Sequence, residues 1–71
     1  MKLHYYPDTD SLYVELSSEP GVETKQVVEG LNVDVDSRGV VVGFDIDQAS
    51  KRLDLTSLET FALPLRTTRV A

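Results

Sequence analysis

A chain of 71 residues with 7 Lys and Arg against 12 Asp and Glu carries a formal charge of −5, and that balance excludes nucleic acid and anionic membrane surfaces as direct partners, because counterion release needs clustered cations. Cysteine is absent, which excludes disulfide staples and thiolate metal sites and predicts a reducing cytoplasm as the protein's home. Uninterrupted apolar runs such as Val40 to Val42 fall far below the roughly 20 residues that span a bilayer, and the length predicts a single domain over residues 1–71, near the size at which one core only just offsets an ordering cost on the order of 100 kcal/mol.

In chain order, Lys2 to Tyr6 and Ser11 to Ser17 alternate apolar and polar residues around Pro7, Asp8, Thr9 and Asp10, four residues with strong turn chemistry. The apolar phase predicts a hairpin with Tyr5 opposite Leu12 and Leu3 opposite Val14, which puts Lys2 across from Glu15, His4 across from Tyr13 and Tyr6 across from Ser11 on the other face. After the turn signal Glu19-Pro20-Gly21, the segment Val22 to Val28 reads as a weaker strand that alternates in either phase. A tight turn at Glu29-Gly30 would set Val28 against Leu31, Gln26 against Val33 and Lys25 against Asp34.

The densest alternation runs from Leu31 to Asp47 and predicts a second hairpin. A three-residue loop would set Val35 against Val41 and turn Phe44 to the wet side, whereas a four-residue loop of Asp36, Ser37, Arg38 and Gly39 sets Val35 against Val40 and keeps the large apolar residues together. Beyond Asp47 the period changes. Gln48 to Arg52 supports one helical turn. Thr56, with Glu59 three residues on, matches a capping box for a helix reaching about Ala62 or Leu63, with Asp54 as a rival N-cap and Pro64 as the stop. The expected fold is therefore α+β: an antiparallel meander of about five strands, with a short C-terminal helix whose Leu55, Leu58 and Phe61 cover one face. The ordered core should run from about residue 2 to 63, and the polar tail 65–71 should be mobile. In such a meander Val40 to Ile46 is the last strand, and its valine-rich edge calls for a cover. The choices are the first strand, the segment around Leu63 to Leu65, or the same edge of a second copy, and a homodimer through Val40–Ile46 is the preferred one.

The segment Tyr6-Pro-Asp-Thr-Asp-Ser-Leu-Tyr-Val-Glu-Leu16, the pair Glu29-Gly30, the stretch Asp34 to Ile46 with Gly39 and Gly43, and Ala49-Ser50 resemble the family of small prokaryotic proteins catalogued as domain of unknown function 2283. The resemblance covers roughly residues 1 to 53. It implies a compact β-rich domain and an antitoxin-like role beside a small toxin, and it supplies no catalytic residue.

Several side chains invite a chemical reading. Asp34, Asp36 and Gly39 match the first, third and sixth positions of a calcium loop, but Arg38 stands at the fifth and Asp45 at the twelfth, so turn chemistry explains the pattern better. Asp34, Asp36, Asp45 and Asp47 are expected on one outer hairpin face, suited to a basic protein partner. His4 is the only imidazole and cannot make the common zinc set. With Tyr6 and Tyr13 it forms an aromatic patch of the kind enriched where partners dock. Gly43, in mid-strand, requires a bulge or the close approach of another group. The acidic balance and the missing catalytic set predict a non-enzymatic protein-binding module without a cofactor, and the family resemblance implies an antitoxin-like partnership with a small toxin. The rivals are a small hydrolase or metal-dependent enzyme using the acidic face, and a structural homodimer.

Overall fold

A computed structural model describes residues 1–64; the expected mobile tail, residues 65–71, lies outside the described residues. Five strands form one antiparallel sheet: β1 (Lys2–Tyr6), β2 (Ser11–Glu15), β3 (Glu23–Val28), β4 (Leu31–Val35) and β5 (Val41–Ile46), followed by a one-turn helix, α1 (Ala49–Arg52). The expected α+β class, with a five-strand antiparallel sheet and one short helix, is what the chain adopts. No helix among the described residues is long and apolar enough to cross a membrane.

The β1–β2 hairpin has the register that its alternation predicts at all five pairs, from Lys2 opposite Glu15 to Tyr6 opposite Ser11. Across the sheet the order is β1-β2-β5-β4-β3. Thus β3, β4 and β5 follow one another as a meander, and the first hairpin joins them through β2 and β5. The strand expected at a free edge is central, with Leu12 opposite Ile46 and Val14 opposite Phe44 on one side and Leu31 opposite Ile46 and Val33 opposite Phe44 on the other. The valine-rich edge does need a cover, and β2 supplies it. With β2 on one side and β4 on the other, β5 leaves no free edge for β1 or for a second copy at Val40–Ile46, and the expected cover from Leu63 to Leu65 lies in part outside the described residues.

The β4–β5 hairpin departs from the four-residue register. Val35 stands opposite Val41, yet Phe44 remains on the apolar side, because a register shift between Asp34 and Val35 sets Asp34 against Gly43. Val42 is the extra residue of this bulge. A single bulge therefore reconciles the Val35–Val41 pair with the apolar phase, an option outside the choice between unbulged loops. In β3 Val28 stands opposite Leu31 as expected, and a shift between Gln26 and Val28 then replaces the other two expected pairs: Gln26 faces Asn32, Lys25 faces Val33 and Thr24 faces Asp34.

The helix expected from Thr56 does not form. Asp54 Oδ1 accepts the Thr56 N–H at 3.0 Å and the Thr56 hydroxyl, and Oδ2 accepts the Ser57 hydroxyl at 3.4 Å. The cap chemistry closes a turn around Asp54, and the few residues left before Pro64 are too short a run to hold helix alone. Leu58 and Phe61 stay 75% and 82% exposed, so they do not form the expected lid. Among the described residues the buried apolar ones are Val14, Val35, Val42 and Ala49.

Gly39 closes the β4–β5 loop with φ +81°, and a Cβ built there meets nothing within 4 Å. Substitution to Val therefore tests backbone strain free of any clash. Gly39→Val should cost roughly 1–2 kcal/mol in urea unfolding, and Gly39→Asn distinctly less. Equal stability of all three chains would contradict the loop geometry.

Candidate functional site

The polar face is built across three strands. Tyr13 on β2 reaches over Gly43 on β5 and donates its hydroxyl hydrogen to Asp34 Oδ2 on β4 at 2.8 Å. The Thr24 hydroxyl of β3 donates to Asp34 Oδ1 at 2.6 Å. Only glycine fits beneath this bridge, because a Cβ at position 43 would lie 2.1 Å from the Tyr13 hydroxyl. The close approach expected at Gly43 is thus made by an aromatic side chain, beside the bulge at Val42. Hydrogen bonding to Asp34, burial and the surrounding carboxylates push the Tyr13 phenol up to about 12.

Around this bridge, the His4 and Tyr13 rings lie 6.5 Å apart and tilted by 42°. His4 Nε2 is 3.6 Å from Glu15 Oε1, and Lys2 Nζ is 4.0 Å from Glu15 Oε2. Asp45, opposite both Tyr13 and Asn32, has its carboxyl raised by burial and by the charges of Asp47 and Asp34. A groove of about 220 Å³ runs beside Tyr13 along Glu15, Ser17, Glu19 and Val42. Val42 O accepts the Leu16 and Ser17 N–H groups at 2.9 and 3.2 Å, which extends the β2–β5 contact toward it.

The structure thus brings His4, Tyr13, Asp34 and Asp45 to one face, with Tyr6 exposed at the far end of β1. Asp47 is exposed beyond the end of β5. Asp36 does not join them. It is buried, and its Oδ1 accepts the Arg38 and Val40 N–H groups at 2.8 and 3.0 Å. These bonds, the Val40 one foremost, lower its carboxyl below the ordinary range. The acid expected on the partner surface is the one that builds the loop.

A second polar centre escaped the strand pattern. Asp10 holds a left-handed φ of 53° at the end of the first turn, and from there it caps a helix 40 residues away. Its backbone oxygen accepts the Ala49 N–H at 2.8 Å, Oδ1 accepts the Ser50 N–H at 3.1 Å, and Oδ2 accepts the Ser50 hydroxyl at 2.7 Å. The Tyr5 hydroxyl also donates to Oδ1, at 2.7 Å. The residue before the helix, Gln48, is itself left-handed and makes no side-chain cap, so Asp10 provides what the local sequence lacks. At the other end of the turn, Arg52 Nη1 donates to Glu29 O at 3.0 Å. Its guanidinium lies where a Cβ on Gly30 would be. Ala49-Ser50 and Glu29-Gly30 were visible as motifs, but their partners are too distant in sequence for periodicity to find.

On the opposite face, Leu3, Tyr5 and Leu12 form one wall of an open apolar groove of about 680 Å³, and Leu53, Leu55 and Leu58 form the other. Among the described residues, no three of His, Cys, Asp or Glu converge to hold a metal.

Two pH effects follow from these hydrogen bonds. The Tyr13 phenol is raised above its unfolded value near 10, so its contribution is complete below pH 10 and lost as pH rises toward about 12. In an ultraviolet titration one tyrosine should ionise near 12, and Asp34→Asn should return it toward 10. The Asp10 carboxyl is lowered, first by the Ser50 hydroxyl and then by Tyr5. Its contribution is present above the unfolded carboxylate value and disappears as pH falls through the folded one. Asp10→Asn should weaken the protein at neutral pH and flatten its acid-unfolding limb; a limb as steep as the wild type's would contradict the cap.

A sequence model of the family described as Protein of unknown function (DUF2283) matches residues 2–50, from the first strand to the Ser50 that Asp10 holds. No curated protein and no solved structure matches the chain.

Proposed function

This chain belongs to the DUF2283 family, and from that premise we propose that it is a non-enzymatic protein-binding module. The observation that carries the reading is the open apolar side of the sheet, where Leu3 and Tyr5 are 48% and 45% exposed and face Leu58 and its neighbours across a groove. Contiguous apolar surface of this kind, unusual on a soluble monomer, marks a place where another chain docks.

The finer proposal is an antitoxin-like role in the prokaryotic cytoplasm, with a small basic toxin-like protein as partner. The charge of −5 supports it, as do the mutually repelling carboxylates of Asp34, Asp45 and Asp47, whose field a cationic surface would relieve. His4, Tyr6 and Tyr13 supply aromatic contact area beside them. The acidic-enzyme alternative has less to draw on: Asp34 is engaged by Tyr13 and Thr24 and Asp36 by its own loop, so the four carboxylates do not share a cleft.

Co-expression with the protein encoded beside this one tests the partner. The two should co-purify, and raising salt from about 50 to 500 mM should weaken the complex severalfold, as should Asp45→Asn. A neighbour that stays apart at low salt would sink the antitoxin reading. Titration with calcium or magnesium, followed by NMR, addresses the rival; saturable shifts confined to Asp34, Asp36, Asp45 and Asp47 would support a metal enzyme instead.

A further inference from the structure

The sheet is a single layer. One face carries the Tyr13–Asp34 bridge and the carboxylates, and the other carries Leu3, Tyr5, Leu12, Val14, Phe44 and Ile46, over which the described residues set no second layer beyond the Leu53–Leu58 segment that walls the groove. Stable domains bury the apolar face of a sheet against another layer, and so short a chain has little margin for leaving one open. Among the described residues no large side chain is fully buried. Whatever completes the core must be present whenever the chain folds, and the one chain certain to be there is another copy of itself.

Resting on the protein-binding reading above, we propose that the apolar face is filled by a second copy of this chain, packed face to face about a two-fold axis. The area suffices. The molecule extends 30 × 30 × 20 Å, so its broad face projects onto roughly 700 Å², close to the ~800 Å² per partner of a standard stable interface. The relief is self-complementary: a groove lined by Leu3, Tyr5 and Leu12 lies beside a rim that bears Leu55 and Leu58, 41% and 75% exposed. A two-fold rotation brings each rim to the other chain's groove. The charges permit it as well. Asp34 and Asp45 lie on the opposite face, so two chains of −5 meet without pressing those carboxylates together, and each copy still presents its acidic face outward to a basic partner.

Sedimentation equilibrium and thermal melts from about 1 to 200 µM test this, together with Leu58→Lys, a variant at a position too exposed to disturb folding of the single chain. The wild type should show twice the mass of one chain and a Tm that rises with concentration. Leu58→Lys should raise the dissociation constant at least tenfold, while Gln26→Lys, at an exposed position opposite Asn32 on the polar face, should leave it unchanged. A single-chain mass up to 200 µM with a concentration-independent Tm overturns the proposal. Binding of the dye ANS then separates the two readings: a monomer that binds it strongly loses the second copy but keeps its open docking face, whereas a monomer that does not bind it has covered that face within one chain, and both readings fall.

Discussion

The pairing of β2 with β5 is the constraint on which the rest of the fold depends, because it alone joins the first hairpin to the β3–β4–β5 meander within the sheet. That pairing leaves β5 no free edge and places Gly43 under Tyr13. The tyrosine spans β5 and ends its hydrogen bond on β4, so one side chain tests the placement of three strands at once. Asp34, receiving Tyr13 on one oxygen and Thr24 on the other, carries the same register through to β3. With so few apolar side chains buried, directional contacts of this kind take a larger share in specifying the fold than they do in a domain with a deep core.

The short helix repeats the arrangement at the end of the sheet. Four residues cannot stand as a helix alone, and α1 is held from outside, by Asp10 at its start and by Arg52 reaching Glu29 at its finish. The turn of the first hairpin and the turn between β3 and β4 are thereby tied to one another through α1. This explains why the motif residues Asp10, Glu29-Gly30 and Ala49-Ser50, scattered along the chain, belong to a single structural unit. Their roles are in fastening the sheet, which leaves the two faces free to differ: one polar and carboxylate-rich, one apolar and open.

How far the sequence could be read follows from the range of the interactions. The β1–β2 register was legible in full, because both strands alternate cleanly and the four-residue turn admits one phase. The poor edge at Val40 to Ile46 was also legible, but its cover was not, since nothing local tells β2 from a second copy as the partner. Register failed where a bulge intervened, at Val42 and between Gln26 and Val28, because a bulge shifts the phase without changing the alternation on either side. Asp36 looked like a surface acid by its place in the pattern, and its hydrogen bonds to Arg38 and Val40 turned it into the loop. The cap signals at Asp54 and Thr56 were real but served a turn. The polar-face residues His4, Tyr13, Asp34 and Asp45 could be grouped from alternation alone, whereas Asp10 with Ser50 could not, because their contact crosses 40 residues.

The measurement that bears most directly on this account is a double-mutant cycle on the crossing of Tyr13 over Gly43, read by urea unfolding. Gly43→Ala should cost about 1–3 kcal/mol with Tyr13 in place, as overpacking does. In a Tyr13→Ala background, where the new methyl group has room, the same substitution should cost less than about 0.5 kcal/mol. An identical cost in both backgrounds would mean that Tyr13 does not lie across Gly43, and the placement of β5 between β2 and β4 would lose its principal support.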